Sequence, residues 1–233
     1  MIDNLAPVSY FCIMERYLKK LKPYMQKYLA ERYSPEDAKA RWDKIVDLDE
    51  QWLKEDGDLG GRTNAMSSFM MLCYAMCAFY KALDRNFTRE DFNTFAKESM
   101  ADTFNFIGHF DMNKLEQHKM LMKLAYKLMA LYKKKADRKR GGTWGNTWRL
   151  RINPNGEAVG IAYILDTCPL YEFAQKHDYL DFMPNFCAMD PYVASRFHAK
   201  LIRHNILSDG DPHCDYWYVG DKSQAALNDI GSK

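Results

Sequence analysis

The sequence predicts an α+β protein, with a helical N-terminal part over residues 1–140 and a mixed C-terminal part over residues 141–233 that holds an antiparallel sheet. Apolar residues recur at helical spacing through the first part. A basic run over residues 133–140 then ends at Gly141-Gly142. Beyond it, short alternating segments are separated by turn residues, which is typical of strands. We expect both parts to form one domain over residues 1–233.

Two long helices are predicted at the start of the chain. The first spans residues 7–33, with a kink or break expected at Pro23 because proline lacks the N–H that the helix needs. The second begins at Ser34-Pro35-Glu36-Asp37, which combines a hydroxyl N-cap, a proline at the first position and acids in the first turn. It ends at the glycines 57, 60 and 61. Its apolar stripe is Ala38, Trp42, Ile45, Val46, Trp52 and Leu53.

Three further helices are predicted before the glycine pair. Residues 63–84 are apolar nearly all round, which indicates a central buried helix. The uncharged stretch within it is too short for a membrane span. Thr88 and Asp91 resemble a capping box that opens a helix reaching Ile107. The last helix covers residues 112–135. Its apolar set is Leu115, Met122, Leu124, Leu128, Met129 and Leu131.

Two hairpins and two short helices are predicted in the C-terminal part. The Asn-Gly pair in the turn at residues 153–156 is a strong hairpin signal. A second turn is predicted at residues 208–212, which are rich in aspartate, glycine and proline. The predicted strands are residues 143–152, 158–165, 199–207 and 213–219, and the predicted helices are residues 169–176 and 190–195.

Composition excludes several classes of protein. The formal net charge of +2 argues against a dedicated nucleic-acid binder, which normally shows a strong basic excess. The N-terminus carries Asp3 and no basic-then-apolar pattern, so no signal peptide is expected. The six cysteines lack the dense spacing of a secreted disulfide scaffold. We therefore expect a cytoplasmic protein with reduced thiols and with no nucleic-acid or membrane partner.

Three cysteines in the last third of the chain each lie close to a carboxylate. A neighbouring acid or imidazole can position a thiol, shift its proton or share a metal with it. Three such places within about fifty residues suggest one assembled site. The alternative is that each cysteine is a small buried core residue. The three motifs are Asp166-Thr-Cys168-Pro169, Cys187-Ala-Met-Asp190 and His213-Cys214-Asp215.

The three thiols have different predicted settings. Cys187 and Asp190 would share one face if their segment is helical, although Asp190 could instead be an N-cap. Cys214 and Asp215 would point to opposite faces of a strand, so that one serves a site and the other serves structure. Cys168 precedes a proline that can begin a helix, and a helix N-terminus lowers a thiol pKa. Cys168 is therefore predicted to be the most acidic thiol.

The segment Gly60-Gly61-Arg62-Thr63-Asn64 is a candidate anion site. Glycines before a helix leave its free N–H groups facing an anion, and Arg62 would add charge. The alternative is a flexible turn with Thr63 as the N-cap. A zinc site built from the three cysteines is a weaker interpretation because no CxxC pair is present. We predict neither a metal nor a cofactor.

The C-terminal motifs resemble the L-2-amino-thiazoline-4-carboxylic acid hydrolase family. The likeness covers most of the chain and is most specific over residues 160–220. It implies a cytoplasmic bacterial hydrolase that opens a carbon–nitrogen bond of a cyclic amidine, converting L-2-amino-thiazoline-4-carboxylate to N-carbamoyl-L-cysteine. The matching elements are Asp166-Thr-Cys168-Pro-Leu170, Phe186-Cys187-Ala-Met-Asp190, Leu207-Ser-Asp-Gly210-Asp-Pro-His-Cys214-Asp215-Tyr216, Gly60-Gly61 and Asn64.

This resemblance assigns candidate roles to the motif residues. A thiolate or an activated water would attack C2 of the ring, and the substrate carboxylate would lie at the helix start near Asn64. Two other classes stay open: a small-molecule binding or sensing domain without catalysis, and a metal-binding protein that uses the cysteines. The oligomeric state is also open. The candidate catalytic residues are Cys187, Cys214, Cys168, Asp190 and Asp215, and the candidate substrate-binding residues are Asn64, Gly61 and Arg62.

Overall fold

The computed structural model describes residues 7–233, with side chains described from residue 17 onward. Helices dominate the N-terminal part, and the C-terminal part holds a four-stranded antiparallel sheet with short helices, which confirms the predicted α+β class. The chain divides into two compact units. The first contains the residues up to Ser99 together with Gly141–Gly145, and the second contains Met100–Arg140 and Asn146–Lys233.

The described residues form eleven α-helices and four strands. None of these helices combines the length and the apolar character needed to cross a lipid bilayer. The helices are α1 (Pro7–Ala30), α2 (Pro35–Asp56), α3 (Ser67–Ala82), α4 (Arg89–Ser99), α5 (Ala101–Ile107), α6 (Met112–Gln117), α7 (Lys119–Lys139), α8 (Pro169–Lys176), α9 (Met183–Cys187), α10 (Met189–Arg196) and α11 (Gln224–Asn228). The strands are β1 (Arg149–Ile152), β2 (Ile161–Thr167), β3 (Ala199–Ile202) and β4 (Cys214–Gly220).

Helix α3 lies at the centre of the first unit, as its all-round apolar sequence predicts. Its Phe79 ring packs edge-on against Tyr28 of α1, with ring centroids 5.4 Å apart. Phe79 also lies 5.2 Å from Phe87 and 5.3 Å from Phe95 of α4. Aromatic rings bury large areas, and the contacts of Phe79 with Tyr28 and Phe87 have the edge-on geometry that such rings prefer. This cluster therefore fixes α1 and α4 against α3.

The helix starts of the first unit confirm the predicted caps. The Ser34 hydroxyl accepts the N–H of Asp37 at 3.2 Å. Thr88 and Asp91 bond reciprocally, because the Thr88 hydroxyl accepts the Asp91 N–H at 3.1 Å and the Asp91 carboxylate accepts the Thr88 N–H at 3.0 Å. Pro23, by contrast, does not end α1, which continues to Ala30. Buried apolar residues on both sides of Pro23 outweigh the lost hydrogen bond.

Three helix boundaries differ from the prediction. Helix α3 begins at Ser67 and not at Thr63, because Gly61–Thr63 form a separate 3₁₀ turn. Thr63 is therefore not the N-cap of α3. The helix predicted to reach Ile107 divides at Met100 into α4 and α5. The next predicted helix divides at His118 into α6 and α7.

The predicted strand over residues 143–152 is much shorter in the structure. Gly141 and Gly145 adopt positive φ values, of 70° and 49°, and place the residues between them in turns. Only Arg149–Ile152 form β1. The hairpin predicted between β1 and β2 is confirmed by their antiparallel pairing. The predicted pairing of the last two strands is likewise confirmed, as β3 with β4.

The sheet has the strand order β1-β2-β4-β3, and its register sets which side chains share a face. Tyr163 lies opposite Tyr216, and Leu165 lies opposite Cys214. Directly opposed residues of antiparallel strands point to the same side of the sheet. Cys214, Tyr216 and Tyr163 therefore line one face, while Asp215 points to the other. The face with Cys214 packs against α6, α7 and α10.

Candidate active site

Arg203 organises the candidate site in the second unit. It directly follows β3, and only 1% of its surface is exposed. Its Nη1 donates to the Asp190 carboxylate at 2.6 Å, and its Nη2 donates to the Cys187 carbonyl at 2.8 Å. A planar guanidinium suits two simultaneous contacts of this kind. Arg203 thereby joins the end of α9, which carries Cys187, to the start of α10, which carries Asp190.

Asp190 is the polar centre of this arrangement. Its carboxylate accepts the hydroxyl of Tyr216 at 3.1 Å as well as the Arg203 bond. Burial raises the pKa of the Asp190 carboxyl above its usual range, and the Arg203 charge, with the bonds from Arg203 and Tyr216, limits that rise. The result is a partly buried ion pair with a tyrosine hydroxyl as its third member. Asp190 is thus a helix residue with a fixed charge partner.

Cys187 ends α9 and is half-buried. Its sulphur accepts a hydrogen bond from the Ser208 hydroxyl at 3.4 Å. Burial raises the pKa of the Cys187 thiol, and the nearby Asp190 charge adds to that rise. The hydrogen bond from the Ser208 hydroxyl and the positive charge of Arg203 both lower the pKa of the Cys187 thiol. Cys187 therefore combines access to solvent with two groups that favour its thiolate.

Cys214 is more deeply placed. It opens β4, is buried, and its sulphur accepts the backbone N–H of Leu207 at 3.2 Å. Burial raises the pKa of the Cys214 thiol to about 11, although the Leu207 N–H opposes that rise. The sulphurs of Cys214 and Cys187 thus contact successive residues, Leu207 and Ser208, of one loop.

The pKa of the Cys168 thiol differs from the sequence prediction. It is the N-cap residue of α8 and precedes Pro169, as the sequence predicts. Burial nevertheless raises the pKa of its thiol to about 12, because the N–H groups of Tyr171 and Leu170 offset only part of the burial cost. The prediction of a lowered thiol pKa at this helix start is therefore wrong. Burial therefore favours the neutral thiol of Cys168 over its thiolate.

The three thiols are electrostatic neighbours without forming a tight cluster. The charges of Cys214 and Cys187 both raise the pKa of Cys168. In the described part of the chain, however, these sulphur atoms do not form a group that lies within 4.8 Å of one another. Cys187 and Cys214 lie near the charges of the Arg203–Asp190 pair, and Cys168 is a neighbour of these two thiols.

Asp215 points away from the thiols and organises a turn. Its Oδ1 accepts the backbone N–H groups of His204 at 2.9 Å and Asn205 at 2.7 Å, and its Oδ2 accepts the Asn205 side-chain amide at 3.0 Å. These bonds fix the chain as it leaves β3. Strand alternation predicts that Cys214 and Asp215 point to opposite faces, and here Cys214 points toward the other thiols while Asp215 stabilises the turn. Asp215 also lines a cavity of about 200 Å³ on its own face of the sheet.

An aromatic wall stands beside Asp190. The rings of Tyr163 and Tyr216 are stacked, with centroids 5.0 Å apart and planes 11° apart. Tyr218 stacks next to Tyr216 at 6.2 Å. Burial raises the pKa of all three tyrosines, so their hydroxyls are neutral donors. The planar cation at this surface is the guanidinium of Arg203, whose Cζ lies 5.5 Å from the centre of the Tyr216 ring.

The predicted substrate-binding residues belong to the first unit. Asn64 is buried, and its amide nitrogen donates to the Leu59 carbonyl at 2.8 Å while its amide oxygen accepts the Met66 N–H at 3.1 Å. Gly61 is buried, and Arg62 is exposed. Asn64 therefore holds the turn before α3 together. Binding of a substrate carboxylate by Asn64, Gly61 and Arg62 stays a prediction.

The sequence did not lead us to Arg203, Ser208 or the aromatic wall of Tyr163, Tyr216 and Tyr218. One signal was available for Arg203, because a strand pattern places it on the same face as Leu201, where a charged residue interrupts an apolar set. The alternation of Tyr216 and Tyr218 was a second signal of a shared face. No local pattern distinguishes Ser208 from an ordinary turn residue. Its contact with Cys187 depends on the tertiary fold.

Comparison with known proteins gives one finding. The family model described as L-2-amino-thiazoline-4-carboxylic acid hydrolase matches residues 68–218. This span contains the three thiols, Asp190 and Arg203. Neither a search of curated proteins nor a search of solved structures found a match.

Proposed function

Because the chain belongs to the L-2-amino-thiazoline-4-carboxylic acid hydrolase family, we propose that it opens a cyclic amidine ring by attack of the Cys187 thiol on the amidine carbon. The observation that carries the proposal is the placement of Cys187 beside the Arg203–Asp190 pair, with a Ser208 hydroxyl on its sulphur. The substrate class comes from the family, and the roles come from the geometry of the second unit.

Cys187 is the best placed of the three thiols for attack. Cys187 and Cys168 are half-buried, whereas Cys214 is buried, and a nucleophile must reach its substrate. Burial raises the pKa of Cys168 to about 12 and of Cys214 to about 11, which disfavours both thiolates. At Cys187 the Arg203 charge and the Ser208 hydroxyl oppose the effect of burial.

We assign the first proton transfer to the substrate itself, because burial raises the pKa of the Cys187 thiol. A neutral cyclic amidine is basic, so its ring nitrogen accepts the Cys187 proton when the two meet. The transfer creates the thiolate and makes the amidine carbon more electrophilic in one step. Asp190 already pairs with Arg203, whose guanidinium lies over the Tyr216 ring, so Asp190 holds Arg203 in place and does not bind the amidinium as a free carboxylate.

The named conversion balances through a covalent intermediate. The Cys187 sulphur bonds to C2 of L-2-amino-thiazoline-4-carboxylate, the ring C2–S bond breaks, and the released sulphur takes up a proton. Water then adds to C2, and the bond to Cys187 breaks as its sulphur regains a proton, which gives N-carbamoyl-L-cysteine. Both nitrogens stay on C2. For this substrate the cleaved ring bond is therefore carbon–sulphur and not the carbon–nitrogen bond that we expected.

A thiol-release assay tests the proposal. Purified protein is incubated with L-2-amino-thiazoline-4-carboxylate, and new free thiol is followed against a blank without substrate. We expect release by the wild type and a loss of at least about a hundredfold in Cys187→Ala. Cys77→Ala is the matched control, since Cys77 is a buried thiol of α3 in the first unit. If Cys187→Ala opens the substrate at the wild-type rate, Cys187 is not the nucleophile.

A further inference from the structure

Helix α7 carries a stripe of leucines that no residue in the described part of the chain covers. Leu121, Leu124, Leu128 and Leu131 are 46%, 50%, 57% and 56% exposed. The last three of these belong to the apolar set that the sequence pattern identifies in this helix. The structure instead docks α7 by its other side, where the Tyr126 hydroxyl donates to the Gly160 carbonyl and accepts the Ala162 N–H, both at 3.0 Å.

The exposed leucines follow the spacing of a helix-pairing seam. Steps of three, four and three residues separate Leu121, Leu124, Leu128 and Leu131, which is the a/d pattern of a heptad. The seam is about 15 Å long at the helical rise per residue. Met120, 81% exposed, widens its beginning. An exposed apolar row of this regularity marks an interaction surface.

One flank of the seam is basic. In the heptad defined by the leucines, Lys127 and Lys134 occupy g positions beside the seam, and both are exposed. Asp137, the acid within α7, pairs with Lys133 one turn away. Charges at such positions select the partner helix, since like charges repel and opposite charges attract across the seam.

We propose that the leucine seam of α7 is a docking site for an acidic amphipathic helix of a partner protein. Apolar residues at the partner's a and d positions would cover the four leucines, and glutamates beside them would face Lys127 and Lys134. A second copy of this chain fits less well, because it would bring two lysine-flanked seams together. A lipid surface requires an apolar face but no heptad spacing.

A synthetic peptide tests this surface directly. The probe is a fluorescein-labelled peptide of four heptads with leucine at a and d and glutamate at e and g, titrated with the full chain in an anisotropy assay. We expect saturable binding that weakens with salt. The double variant Leu124→Glu/Leu128→Glu should bind about thirtyfold more weakly, because each leucine loses its burial against the peptide.

Two further variants separate the contributions. Lys127→Glu/Lys134→Glu should weaken binding about tenfold and reverse the effect of salt, since charge attraction becomes repulsion. Ala130→Glu is the matched control, because it adds an acid to an exposed position of α7 outside the seam, and it should bind as the wild type does. Circular dichroism establishes that each variant keeps its helices, and the lysine variant tests the seam even if the leucine variant does not fold.

Three results would overturn the proposal. The first is equal peptide binding by the wild type and the lysine variant. The second is a dimer in sedimentation velocity that Leu124→Glu/Leu128→Glu abolishes, which would make a second copy the occupant. The third is binding to phosphatidylglycerol vesicles, but not to the peptide, with loss in the leucine variant. None of these outcomes bears on the thiol-release assay, so the two proposals stand or fall separately.

Discussion

Replacing Arg203 with methionine should destabilise the protein strongly and in a pH-dependent way. The change removes the bonds to Asp190 at 2.6 Å and to the Cys187 carbonyl at 2.8 Å, and it keeps much of the side-chain volume. Breaking one partner of a buried ion pair costs about 3–5 kcal/mol. The Asp190 side chain is 32% exposed, so water screens part of the lone charge. We therefore expect a loss of about 2–3 kcal/mol at pH 8.

The pH dependence follows from the sign of the Asp190 shift. Burial already raises the pKa of Asp190, and Arg203 limits that rise, so Arg203→Met raises the pKa further. When a carboxyl has a higher pKa in the folded protein than in the unfolded chain, the free energy of unfolding falls as the pH rises through the folded pKa. The cost of Arg203→Met should therefore be larger at pH 8 than at pH 5. Adding Asp190→Asn should recover part of the loss at pH 8.

Urea denaturation of the single and double variants at both pH values measures this effect. The control is Arg151→Met, which breaks the pair with Asp166 at 2.7 Å, where the arginine side chain is 48% exposed against 1% for Arg203. An exposed pair contributes less than about 1 kcal/mol. The reasoning fails if Arg203→Met costs no more than Arg151→Met, or if its cost is the same at pH 5 and pH 8.

Three further predictions concern other sites. Burial raises the pKa of Asp49 to about 7 from 3.8, so the Asp49 carboxylate does not lower the free energy of unfolding below about pH 4 and lowers it by at most about 4 kcal/mol near pH 8. Asp49→Asn should therefore raise the melting temperature at pH 8 and not at pH 4, and an equal effect at both pH values would contradict this. Asp215→Ala loses three hydrogen bonds and should cost about 1–3 kcal/mol in urea denaturation, while the alkylation rate of Cys187 stays unchanged; a changed rate would place Asp215 in the thiol site. Gly60→Ala should lower the melting temperature, because Gly60 has a φ of 93° and its Cβ would overlap the Trp144 ring; an unchanged melting temperature would disprove that contact.

Features encoded by neighbouring residues were predictable from the sequence. The caps at Ser34 and Thr88 depend on side chains three residues apart, so the pattern alone identifies them. The opposite orientations of Cys214 and Asp215 follow from strand geometry. The start of α3 was misplaced because the Asn64 amide stabilises a 3₁₀ turn through contacts that no periodicity encodes.

Features that depend on the tertiary arrangement were not predictable. The leucines of α7 share a face by periodicity, but periodicity does not say whether that face is covered. The pKa of Cys168 depends on burial, which outweighs the helix start that the sequence reveals. Arg203 meets Cys187 and Asp190 only when β3 folds beside α9 and α10. No motif in the sequence joins these three residues.

The central claim is that Cys187 forms a covalent bond to the amidine carbon. The most direct measurement is peptide mapping by mass spectrometry after acid quenching of a short reaction with L-2-amino-thiazoline-4-carboxylate. Attack with ring opening adds the whole substrate, so we predict that the peptide containing Cys187 gains the full substrate mass and that Cys187→Ala shows no such gain. An adduct on Cys214 or Cys168 with Cys187 unmodified, during active turnover, would contradict the account.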